Sequence, residues 1–149
     1  MKYSYAAVSD VGKREINEDA LEVRAGRCYR ACALGDGLGG QGSGDFASKL
    51  ATDVSIRRMS GFLPAGRRTL DACVREANRL IRDQQEEQHC RMMTNLALLR
   101  LSGARAQLAY VGHTRHNRIR RRGINLQHTE HNTPQQQGTF RRTTHDHIR

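Results

Sequence analysis

The chain has 149 residues and a formal net charge of +10, with 37% hydrophobic residues, 5% aromatic residues and no tryptophan. That length suits one domain with a modest aliphatic core and excludes two comfortable ones. No apolar run approaches membrane length and no secretory leader pattern opens the chain, which excludes a membrane-spanning protein and points to the cytoplasm.

The charge is uneven. Residues 1–112 carry 17 basic and 13 acidic side chains, whereas residues 113–149 carry 8 and 2, together with six of the seven histidines. The basic character therefore belongs to the tail. Basic tails attract polyanions, but such a composition commonly stays solvated. Cys28, Cys32, Cys73 and Cys90 form no C-x-x-C and no metal-finger spacing. They read as reduced thiols, with Cys28 and Cys32 packing as small apolar groups on one face of a strand.

In chain order, MKYSYAAVSD alternates around Tyr3, Tyr5 and Ala7 and predicts a strand entering a turn. VGKREINEDA is polar and turn-like. ALEVRAG and RCYRACAL predict two strands joined as a hairpin through Gly26. Residues 44–60 show helical spacing at Phe46, Leu50, Val54 and Ile56, and GFLPAG ends that helix. RRTLDACVREANRLIRDQQEEQ predicts the clearest helix, with an apolar stripe of Leu70, Cys73, Val74, Ala77, Leu80 and Ile81. MTNLALLRL, a Ser-Gly turn, RAQLAYVG and a poorer HNRIRRRG predict an antiparallel meander. Beyond Gly123 the periodicity decays, which divides the chain into a domain over 1–123 and a basic, His-rich, poorly ordered tail over 124–149. Strand runs and helix runs are segregated, so the fold class is α+β with antiparallel sheets.

Between the second strand and the first helix lies LGDGLGGQGSGD, whose Gly37, Gly39 and Gly42 spell G-x-G-x-x-G. A dinucleotide turn needs a second parallel strand after the helix, and here one helix leads to another. Asp36 would also set its charge against a pyrophosphate, and the G-K-[ST] of a phosphate loop is missing. The carboxylates offer a different reading. Asp36 ends one predicted strand and Glu18-Asp19 precedes another, and hard divalent cations take oxygens converging from separate loops. Gly37 permits close approach of a backbone carbonyl, and Arg14 offers a planar fork to a phosphate.

The order and spacing of these residues resemble the metal-dependent, type 2C (PPM-type) protein serine/threonine phosphatases. Ser9-Asp10-Val11-Gly12-Lys13-Arg14-Glu15-Ile16-Asn17-Glu18-Asp19-Ala20 resembles the family's first motif, S-D-x-G-x-R-x-x-N-E-D-A. Asp36-Gly37-Leu38-Gly39-Gly40 with Gly44-Asp45-Phe46-Ala47-Ser48 resembles D-G-M-G-G…G-E-x-A-S. Met93-Thr94-Asn95-Leu96 resembles G-T-T-L, Val111-Gly112-His113-Thr114-Arg115 resembles V-G-D-S-R, and Thr129-Glu130-His131-Asn132-Thr133 falls where the family has T-x-D-H-S. Leu38, where bacterial members usually carry Met, marks a bacterial-type sequence.

The resemblance implies an α-β-β-α sandwich of antiparallel sheets flanked by helices, of which this chain holds the N-terminal part. It implies two Mn²⁺ or Mg²⁺ ions that activate a water against phosphoserine or phosphothreonine in protein substrates. Asp36 would bridge the ions, the Gly37 carbonyl would ligate one, Glu18 and Asp19 would hold a metal directly or through water, and Arg14 would bind the substrate phosphate. Four positions depart from the family's pattern: the degenerate His113, His131 and Asn132 replace its Asp, Asp and His, and Asn117 replaces a usual Tyr. The chain also stops before the D-G and D-N motifs that carry two further metal aspartates, and Asp146 matches neither context. A C-terminally truncated enzyme with impaired activity is therefore expected. The alternatives are a non-catalytic pseudophosphatase remnant and a basic polyanion-binding protein. The pairs His128-x-x-His131 and His145-x-His147 lack the spacing of a zinc site. Arg118, Arg120, Arg121 and Arg122 lack interleaved aromatics, so nucleic acid is not the expected partner. Nothing in the sequence indicates an oligomeric state.

Overall fold

The first two strands form the predicted hairpin, β1 (Asp19–Ala25) and β2 (Arg30–Leu38). In the computed structural model, which describes residues 3–39, 43–60, 67–114, 117–120, 123–127 and 144–147, the hairpin closes through Gly26. The Gly26 N–H donates to the Tyr29 carbonyl at 3.0 Å, and a Cβ at Gly26 would lie 2.1 Å from the Tyr29 ring. Two helices follow, α1 (Ser43–Met59) and α2 (Arg67–Gln88). Strands β3 (Met93–Ser102) and β4 (Arg105–Val111) then form a second hairpin, turning at Gly103 with φ +57°. Three short strands complete the order: β5 (Asn117–Arg120), β6 (Gly123–Gln127) and β7 (Thr144–His147).

The main sheet runs β1-β2-β3-β4-β7, antiparallel throughout. The α+β class with an antiparallel sheet is as expected. Helix α1 lies across β1, β2 and β3, and α2 packs on α1 and touches β3 and β4. The core sits between them, built from Ala31 and Ala33 of β2, Leu96 and Leu98 of β3, Ala47, Ala51, Ile56 and Met59 of α1, and the α2 stripe. Five of the six predicted stripe residues are buried, and the sixth, Leu80, is half-buried. Burial pushes the Cys73 thiol up to about 11, so it stays a neutral packing group, and all four cysteines are free.

Several elements differ from expectation. Residues 3–10 form no strand, because among the described residues no neighbouring strand offers them a ladder; Val8 is 93% exposed. The start of this segment is anchored where the Tyr3 hydroxyl donates to the Gly103 carbonyl. In α1 the apolar spacing names the inner face only in part: Ile56 is buried in the core, and Leu50 and Val54 pack against its margin. Phe46 is exposed and Leu50 and Val54 are half-buried, while Gly44, Ala47, Ser48, Ala51, Thr52 and Ser55 point inward. Close approach is the reason. A Cβ on Gly35 of β2 would lie 3.0 Å from the Cβ of Ser48, so only small residues fit between helix and strand. The expected β3–β4–β5 meander is not formed: β5 pairs with β6 in a separate two-stranded sheet, and β7 takes the outer edge of β4. Two strands thus occur where the sequence loses periodicity. GFLPAG, Gly40–Gly42 and residues 128–143 lie outside the described residues.

The sheet face turned away from the helices carries Leu21, Val23, Leu34, Leu38 and Leu99, and Leu34 and Leu38 are 38% and 40% exposed.

Leu98 is 0% exposed and stands between Ala33 and Ala109 on the paired strands. Its side chain fills the space that two alanines leave open. Leu98→Ala should cost about 3–5 kcal/mol, read as a lowered urea midpoint at unchanged slope. A loss under about 1 kcal/mol would show instead that the helices collapse into the cavity.

Candidate metal-binding site

The predicted site residues gather at one end of the sheet, where β1 begins and β2 ends. The motif before β1 is a self-bonded loop. Gly12 has φ +63° and donates its N–H to Asp10 Oδ1 at 2.7 Å, a turn that only a residue tolerant of positive φ allows. Asn17 Nδ2 donates to Ser9 Oγ at 2.8 Å, and Asn17 Oδ1 accepts from the Asp19 N–H at 3.0 Å. The loop thereby delivers Glu18 to the residue just before β1 and Asp19 to its first position.

Asp19 and Asp36 are directly opposed across β1 and β2. Opposed residues share a face, so both carboxylates lie on the side away from the helices. β2 continues through Asp36 to Leu38, where the sequence predicts a turn. Its glycines are needed inside the strand. A Cβ on Gly37 would lie 2.2 Å from the Gly44 carbonyl oxygen and 2.5 Å from that of Glu18, which itself accepts the Gly37 N–H at 3.1 Å.

Glu18, one residue earlier in the alternation, turns the other way. Its Oε1 lies against Gly44 at the start of α1, leaving no room for a Cβ there, and its Oε2 pairs with Arg14 Nη1 at 3.3 Å. The Arg14 side chain is 73% exposed, so this pair orients the guanidinium without removing it from solvent. Asp45, in the first turn of α1, is held below the usual carboxylate range chiefly by its hydrogen bond with Lys49.

Asn95 was not singled out as a site residue from the sequence. It stands opposite Asp36 on β3, is 7% exposed, and donates Nδ2 to Asp36 Oδ2 at 3.0 Å. Its Oδ1 accepts the His113 backbone N–H at 3.4 Å. A buried amide inside the apolar run MTNLALLRL was the available signal, because such a group needs partners on both ends.

Other predicted residues are not brought here. The His113 side chain is exposed and joins only through its backbone. Asp146 opposes Ala106 on β4, in line with Leu101 and Arg30, at the other end of the sheet from Asp36. Six strand positions separate Arg30 from Asp36, about 20 Å. His145 and His147 oppose Gln107 and Arg105 at that same far end. His116, His128, His131, Asn132, Arg115, Arg121 and Arg122 lie outside the described residues. Among the described residues, no three His, Cys, Asp or Glu side chains converge as a ready-made metal cage, and no helix is long and apolar enough to cross a membrane.

No protein-family model and no curated protein matches the chain. Solved structures do. The serine/threonine phosphatase PstP/Ppp of Mycobacterium tuberculosis is 36% identical at a TM-score of 0.64, over 75% of this chain and 48% of its own. The catalytic domain of the serine/threonine phosphatase PstP in complex with two manganese ions is 35% identical at a TM-score of 0.71, over 85% of this chain and 54% of its own. PppA, described as a key regulatory component of the type VI secretion system in Pseudomonas aeruginosa, is 31% identical at a TM-score of 0.61, over 74% and 49%. The chain thus spans about half the length of the solved structures it matches. With its motifs in the family's order on the family's fold, the chain belongs to the bacterial PPM-type (type 2C) serine/threonine phosphatase family.

Proposed function

We infer that this chain is a cytoplasmic, divalent-metal-dependent phosphatase-type domain acting on phosphoserine and phosphothreonine in proteins. The observation that carries this reading is the register that sets Asp19 directly against Asp36 beside Gly37. Two carboxylates on one face with an adjacent backbone carbonyl form an all-oxygen donor set, which fits Mn²⁺ or Mg²⁺ rather than a soft metal. Asp36 and Asp19 would hold the cation, with the Gly37 carbonyl as a neutral ligand and Glu18 acting through water from its place against α1. A bound cation of this kind lowers the pKa of its water and neutralises charge on a transferring phosphoryl group.

The chain's own residues supply the rest. Asn95 holds one oxygen of Asp36. Arg14 keeps most of its guanidinium donors free for a phosphate, since among the described residues only Nη1 is engaged, by Glu18. A second reading, a pseudophosphatase that binds cation and phosphoprotein without turnover, is favoured by the small number of converging acids among the described residues and by His113 in place of an aspartate.

The test is hydrolysis of a phosphothreonine peptide by the purified chain with and without Mn²⁺. Turnover should require Mn²⁺. Arg14→Ala should raise KM about tenfold or more while Mn²⁺ affinity stays unchanged, because a charge-assisted phosphate contact contributes about 1.5–3 kcal/mol. Mn²⁺ binding without turnover selects the pseudophosphatase. A folded chain that neither binds Mn²⁺ nor turns over would sink both readings.

A further inference from the structure

We propose that Asn95 is a positioning residue for the metal-binding carboxylate of Asp36, itself aimed by the backbone of the loop after β4; this rests on the metal-site reading above. Three observations carry it. The amide is 7% exposed and lies at the register position opposite Asp36, so its Nδ2–H reaches Asp36 Oδ2 at 3.0 Å across the ladder. The other end of the amide is fixed, because Oδ1 accepts the His113 backbone N–H at 3.4 Å. A flipped amide would set an N–H against that N–H, so the loop dictates which end faces Asp36. Finally, Gly112, with φ +90°, leaves the amide its space: a Cβ there would lie 1.8 Å from Asn95 Oδ1.

The consequence concerns Asp36. Asp19 opposes it on β1 and Asn95 opposes it on β3, so a like charge lies on one side and a donor on the other. Without the donor, two opposed carboxylates repel and rotate apart. With it, Oδ2 is held toward β3, and Oδ1 has no hydrogen-bond partner among the described residues. Asn95 thus sets the direction in which Asp36 presents its remaining oxygen to a cation, as partners behind metal ligands do generally.

The experiment titrates Mn²⁺ into the full chain by calorimetry, comparing wild type, Asn95→Leu and Gly112→Ala, each checked by thermal melting. Asn95→Leu keeps volume and removes the donor; it should weaken Mn²⁺ binding about 10–100-fold. Gly112→Ala displaces the amide through Oδ1 and should shift affinity in the same direction, which keeps the test open if the leucine variant does not fold. In the metal-free wild type, the Asn95 side-chain amide resonances, assigned by their loss in Asn95→Leu or by selective labelling, should move on Asp36→Ala. Wild-type Mn²⁺ affinity in a folded Asn95→Leu, or amide resonances indifferent to Asp36→Ala, overturns the positioning role and leaves the metal site standing. A wild-type chain that binds no Mn²⁺ overturns both.

Discussion

Asp36→Asn should reduce Mn²⁺ affinity at least about 100-fold, since loss of a partner behind a metal ligand already costs about 10–100-fold and a charged ligand contributes more. Mn²⁺-dependent hydrolysis should fall with it. The metal-free protein should behave differently. The introduced amide can turn its carbonyl oxygen toward Asn95 Nδ2, preserving the hydrogen bond that Asp36 makes at 3.0 Å. The substitution also removes one of two like charges opposed across β1 and β2. Opposed like charges destabilise a sheet by about 0.2–1 kcal/mol, so metal-free Asp36→Asn should be as stable as wild type or slightly more so. Differential scanning with and without Mn²⁺ separates the effects. Wild type should gain stability on adding the ion, and the variant should not. A variant that is markedly less stable without metal would mean that Asp36 is a structural residue and that its placement opposite Asp19 serves the fold alone.

Gly37→Ala should destabilise the chain by about 3 kcal/mol or more, the upper range for forcing volume into a packed site. The added Cβ would meet the carbonyl oxygens of Gly44 at 2.2 Å and Glu18 at 2.5 Å. Both are backbone atoms, so no side-chain rotation relieves the clash; α1 must lift from the sheet or β1 must part from β2. Either movement also separates Asp36 from Asp19. Gly103→Ala is the useful comparison, because that position has φ +57° and open space around it. It should cost only about 1–2 kcal/mol, the ordinary penalty of a left-handed backbone. Urea melts of the two variants would test this. A Gly37→Ala chain as stable as Gly103→Ala would mean that α1 can retreat freely, and the packing argument for the glycines of β2 would fail.

The helix α2 was legible because its pattern is local. A stripe recurring every three to four residues names its own buried face, and the helix spans the predicted residues, Arg67–Gln88. The first hairpin was equally legible, because Gly26 and the flanking alternation specify a turn without reference to the rest of the chain. The order of acidic and glycine motifs pointed to the family for a related reason. Metal and phosphate chemistry restricts residue types more severely than packing does.

Other features depended on what each segment meets. The alternation over Tyr3–Ala7 was real, but a strand exists only beside a partner, and none of the described strands takes that place. The inner face of α1 was read only in part, since Ile56 is buried but Phe46 is not, because apolarity is an incomplete guide where a helix lies so close to a strand that alanine, serine and glycine are what fits. β7 pairs with β4 although nothing periodic announces it, because strand pairing is satisfied by backbone groups that every residue carries.

The site divides along the same line. Asp36, Asp19, Glu18, Gly37 and Arg14 could be named from residue type and spacing. Their placement could not be read that way, because alternation sends Asp19 to the face of Asp36 and Glu18 to the helix side, and only the strand register sets which is which. Asn95 and the His113 backbone N–H are 59 and 77 residues from Asp36 in sequence and within hydrogen-bonding reach of one another in space. A contact of that range leaves no local pattern, since it is made by the pairing of β2 with β3 and the exit of β4, and the tertiary fold alone brings those together.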